Sequence, residues 1–101
     1  MLGWHLSRID GQSMVPLIPA GSFGLFRARS TYQVGDILMV VHPRFGRIVK
    51  RCWQQTEDRF WLEGLGPATT PAAALGAVTA SDILGRLVWL SPPEPVRADT
   101  P

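Results

Sequence analysis

A serine hydroxyl becomes a useful nucleophile only when a positioned base takes its proton. For that task the 101-residue chain offers two histidines, eight carboxylates and, among its ten Lys and Arg residues, a single lysine, Lys50. Arginine is not deprotonated in proteins, whereas burial can neutralise a lysine, so the one lysine of an arginine-rich chain is expected where an uncharged amine is required. A free lysine titrates near about 10.4, which leaves about one amine in a few thousand neutral at pH 7; lowering that value by about three units takes roughly 4 kcal/mol of desolvation. An apolar strand face can supply it. A candidate nucleophile is Ser13, in the turn-rich stretch Gly11-Gln12-Ser13-Met14-Val15-Pro16. Residue types and spacing alone also describe an ordinary loop serine and an edge lysine whose amine snorkels to water along apolar neighbours.

The elements around these two residues read as strands. Residues 4–10 alternate loosely and end at Gly11, which puts Ser13 just past a strand, and residues 23–28 form a second one. Asp-Ile-Leu-Met-Val-Val-His over 36–42, bounded by Gly35 and Pro43, is a continuous apolar run of the kind buried on both faces. A hairpin loop with Pro43 early and Gly46 at its end leads into a strand over 47–54. The period of two then sets Ile48, Lys50 and Cys52 on one face and Val49, Arg51 and Trp53 on the other. Further strands are expected at 60–63 and 83–90. Residues 64–80, rich in Ala, Thr, Gly and Pro, read as a loop that packs little, with at most one helical turn at Ala72–Leu75. These readings give one domain over 1–90, all-β or mainly β, followed by a Pro-rich tail over 91–101 that is expected to fray.

Composition narrows the function. An apolar share of 46% with 18% charge suits a folded globular domain. The formal charge of +2 comes from scattered arginines without a basic cluster, so nucleic acid is not an expected partner. One cysteine, Cys52, excludes an internal disulfide framework and gives no support to a thiolate metal site, and no cofactor or metal is expected. The N-terminal stretch contains Trp4, His5, Arg8 and Asp10 rather than the apolar run of a secretory signal, and the sequence holds no membrane-length apolar segment. A cytoplasmic protein without a membrane anchor is expected.

Six blocks in order complete the pattern: Gly11-Gln12-Ser13-Met14-Val15-Pro16, Gly21, Val34-Gly35-Asp36-Ile37, Val49-Lys50-Arg51, Trp61-Leu62-Glu63-Gly64 and Ile83-Leu84-Gly85-Arg86. Together they resemble the signal-peptidase and LexA-like superfamily of Ser-Lys peptidases over nearly the whole chain. In size and pattern the chain is most similar to the small soluble maturation peptidases of nickel superoxide dismutase. The resemblance implies a small, partly open β-barrel in which Ser13 is the nucleophile and Lys50 its general base. Some relatives carry a serine where this chain has Gly11, so the implied oxyanion hole rests on backbone N–H groups, chiefly that of Ser13. Aligned with the family's lysine-orienting hydroxyl stands Thr70, while neighbouring acidic and arginine positions have become alanines, and Ser22 stands where a Gly-Asp is usual. An extended peptide would add as a strand beside the segment before Ser13, with Ile9 and Met14 as pocket walls.

The activity expected from this resemblance is removal of a leader or propeptide from a protein substrate through an acyl-enzyme. The alternative is a catalytically silent β module that binds extended peptides in the same groove. A self-cleaving repressor ranks last, because the residues ahead of Ser13 leave no room for a helix-turn-helix. Neither the substrate nor the oligomeric state is legible in the sequence.

Overall fold

The apolar run that reads as doubly buried is the middle of the structure. In the computed structural model, which describes residues 3–9, 18, 21–66 and 70–91, the elements are β1 (Trp4–Ile9), β2 (Ser22–Arg27), β3 (Ile37–His42), β4 (Gly46–Gln55), β5 (Phe60–Glu63), α1 (Ala72–Leu75), β6 (Ala77–Val78), a 3-10 turn (Ala80–Asp82) and β7 (Ile83–Ser91). The strands form one seven-stranded sheet in the order β1-β2-β7-β3-β4-β5-β6, with every neighbour antiparallel. Leu38 and Val40 of β3 join Cys52, Phe60 and Leu62 in one core cluster, while Met39 between them joins Ile9, Ile18 and Phe26 in a second. Successive side chains point to opposite faces, so β3 is buried on both, as its composition requires.

An open sheet can bury both faces only by curling. Register shifts fall at Leu25/Phe26, Met39/Val40 and between Cys52 and Gln54, and bulges of this kind sharpen local twist and bend the strand that carries them. The chain is therefore mostly β and partly open, and the sheet does not close into a barrel.

The stretch expected to pack little contributes to the core instead. Leu75 and Val78 are buried in the cluster that holds Leu62, and β6 pairs with β5 through Phe60–Val78 and Trp61–Ala77. Low complexity hid these two large residues. Gly76, at φ 63°, turns the chain between them in a backbone region that favours glycine, and its carbonyl accepts the Leu62 N–H at 3.2 Å.

His42 holds this segment to the β3–β4 hairpin. Its buried ring accepts the Arg44 and Phe45 N–H groups at Nδ1 (3.0 and 3.3 Å), so Nε2 carries the proton and donates it to the Leu75 carbonyl at 2.7 Å. One buried and two part-buried backbone groups lose their partner in His42→Ala, which is expected to destabilise the protein by about 2 kcal/mol. Urea unfolding of the two proteins measures the difference, and equal midpoints would contradict the role given to the ring.

Candidate active site

Lys50 lies on β4 opposite Leu38 of β3. Its face partners behave as the period of two requires: Ile48 and Cys52 belong with the Leu38 cluster, and Val49 packs with Met39. The alternation ends at the bulge beside Trp53, which is exposed. Within that setting Lys50 is only 5% exposed, and burial holds its amine below the ordinary lysine value. Cys52, the other potential nucleophile of this face, is also fully buried; burial first, and then the charge of Asp36, push its thiol up, away from the reactive thiolate.

A cleft of about 250 Å³ opens beside Lys50, lined on one side by Arg47, Ile48 and Val49 and on the other by Ser7, Arg8 and Ile9, with Met39 at its floor. The two walls come from strands with three others between them in the sheet order, β1 and β4, and the curl of the sheet brings them together. Each wall is a strand edge. β1 ends the sheet and pairs with β2 alone, and the pairing of β4 with β5 starts only at Arg51, so residues 46–50 have no strand partner on that side among the described residues. Strand edges of this kind can take an extended peptide as an added strand. Arg8 and Arg47 are exposed at this cleft, and no Asp or Glu lines it among the described residues.

Ser13, Gly11 and Met14 lie outside the described residues, but the flanks of their segment do not. Ile9, the last residue of β1, lines the cleft, and its carbonyl accepts the Gly21 N–H at 2.8 Å, one step before the Ile9–Ser22 pair that opens β2. The segment that contains Ser13 thus leaves and rejoins the sheet at the cleft. Ile18 within it is buried against Ile9 and Phe26. Ile9 is at once a cleft wall and a core residue. Thr70, the expected lysine-orienting hydroxyl, is part-exposed just ahead of Pro71 and α1 and does not line the cleft. The residues that sequence reasoning missed, Ser7, Arg8 and Arg47, carry no motif; only the curl of the sheet marks them as neighbours of Lys50.

The direction of the Lys50 shift fixes a stability signature. Between the lowered folded value and the ordinary unfolded one, the unfolded chain binds a proton that the folded chain does not, so stability rises with pH across that window and the amine's full contribution appears only above the unfolded value. Lys50→Met removes the titration. The variant is expected to gain on the wild type most at neutral pH and least as pH approaches about 10.4, and urea melts at several pH values check this. A gap that is constant with pH would mean that the amine titrates alike in both states.

Among the described residues no group of three or more His, Cys, Asp or Glu is placed to hold a metal ion, and none of their helices is long and apolar enough to cross a membrane. No protein-family model matches the chain, and no curated protein matches it. The chain is a mostly-β, partly open single sheet in which the edges of β1 and β4 enclose a cleft beside a buried lysine.

Proposed function

We propose that the chain is a serine endopeptidase of the Ser-Lys type that cleaves a leader or propeptide from a protein substrate in a cytoplasmic compartment. The observation that carries this reading is the only lysine of the sequence, buried with its amine lowered, at a cleft between two strand edges, one of which runs into the segment containing Ser13. A peptide held between the edges would present its scissile carbonyl to the Ser13 hydroxyl. Neutral Lys50 takes the hydroxyl proton as Oγ bonds to the carbonyl carbon, and the oxyanion of the tetrahedral intermediate rests on backbone N–H groups, that of Ser13 foremost. Collapse breaks the C–N bond as Lys50 returns the proton to the leaving amine. A water molecule then attacks the Ser13 ester, again with Lys50 as base, and releases the acid.

The same two edges would serve a module that binds peptides without cutting them, which is the second reading. Peptides prepared from a whole-cell digest, incubated with the protein and mapped by mass spectrometry for new termini, separate the two. The enzyme produces new termini at a defined sequence, and Ser13→Ala reduces their rate by at least about 10³-fold while leaving the fold intact. New termini formed equally by Ser13→Ala, or peptide retention without any cleavage by the wild type, would rule the peptidase out.

A further inference from the structure

Strand register fixes which face of the sheet each cleft residue occupies. Directly paired residues share a face, and alternate residues along a strand repeat it. Arg47, paired with Val41, therefore stands on the face of Val49 and of its partner Met39. Met39 packs with Ile9, and Ser7 precedes Ile9 by one alternation on β1, so these residues line the same side of the cleft. Arg8 alternates with them, shares the opposite face with Phe23, and is itself engaged. On the Met39 side Arg47 is thus the one charged residue that lines the cleft among the described residues.

The described carboxylates are committed elsewhere. Asp36 holds Arg86 and accepts the Gln33 N–H, Glu63 pairs with Arg51, and Asp82 accepts the Thr79 N–H at the 3-10 turn. Glu57 and Asp58 lie in the bend beyond the far end of β4. Arg47 is exposed, and among the described residues no ion pair or hydrogen bond engages its guanidinium.

A peptide added along residues 46–50 obeys the same rules of register. It sets one residue opposite Arg47 and on its face, where opposite charges attract and like charges repel, and the planar guanidinium fork matches a carboxylate. Because every neighbour in the order β1-β2-β7-β3-β4 is antiparallel, β1 and β4 run in the same sense, one toward the segment of Ser13 and the other from Arg47 toward Lys50. Arg47 therefore lies to one side of the reacting bond, three residues before Lys50, a distance of roughly 10 Å along an extended strand.

We propose that Arg47 is a specificity-determining residue that selects peptides with an Asp or Glu about three residues from the cleaved bond, always on the same side of it. The assignment rests on the reading of the cleft as a peptide groove. A chymotryptic whole-cell digest serves as the probe. Peptides cut by the wild type, and peptides retained by immobilised Ser13→Ala protein, are identified by mass spectrometry and compared with the input. Acidic residues are expected to be enriched about two- to fivefold at one position, the size of effect that a partly exposed cross-strand ion pair gives, and the enrichment shrinks as salt is raised. Arg47→Gln removes it. Arg47→Glu turns it into a preference for Lys or Arg at the same position, which a loss of structure could not do, and melting curves establish that both variants fold. Retention of acidic peptides without cleavage would support Arg47 while removing the peptidase reading. Peptides cut or retained with no acidic excess, or an excess that persists in Arg47→Glu, would overturn the role of Arg47 and leave the groove standing. No peptide cut or retained would overturn both.

Discussion

Lys50→Arg is expected to lower kcat/KM by at least about 10³-fold, the upper part of the range lost when a general base is removed. The substitution preserves the positive charge and most of the stem, so only the ability to be neutral is taken away. For the wild type, kcat/KM rises with pH as the amine gives up its proton, with a midpoint below the ordinary lysine value because Lys50 is buried opposite Leu38. The variant has no such limb. Steady-state assays over pH on any peptide found to be cleaved read both effects. A variant that keeps more than a tenth of the wild-type rate would place the base elsewhere, and His5 and the part-exposed carboxylates would then have to be tested one at a time.

Gly85→Ala has the largest expected effect on stability, about 3 kcal/mol. Gly85 sits on β7 opposite Met39 of β3, and a Cβ added there would meet the main chain of Arg27 on β2, with the carbonyl carbon at 2.8 Å and the nitrogen and oxygen each at 3.0 Å. A flexible side chain could rotate out of the way; a paired strand cannot. The whole β2–β7 contact has to open, and it joins β1 and β2, which carry one wall of the cleft, to the rest of the sheet. A lower urea midpoint at unchanged m-value is the expected result, together with a weakened cleft in the surviving folded fraction. A wild-type midpoint would show that the strands can separate at no cost.

These two residues belong to blocks that the sequence alone makes visible, but for different reasons. Lys50 is conspicuous as the single lysine, and the period of two already surrounds it with Ile48 and Cys52 on its own face. Gly85 is visible only as part of the Ile-Leu-Gly-Arg pattern; the close approach of Arg27 that demands a glycine is a property of the folded sheet. The doubly buried β3 was legible because a run of apolar residues pointing both ways leaves no face for water. Leu75 and Val78 were not, since the alanines and glycines around them dilute the pattern and one turn at Gly76 decides where both side chains go.

By itself, then, the sequence determined a mostly-β chain, the order of its main strands, and a lysine set among apolar neighbours, because alternation, turn residues and composition act over a few residues at a time. Only the tertiary structure decided that the free edges of β1 and β4 meet across a cleft, and that Arg47 stands across it from Ser7 and Ile9. Both depend on pairing between strands distant in sequence and on how far the sheet curls, and neither register nor curvature is encoded in any single segment.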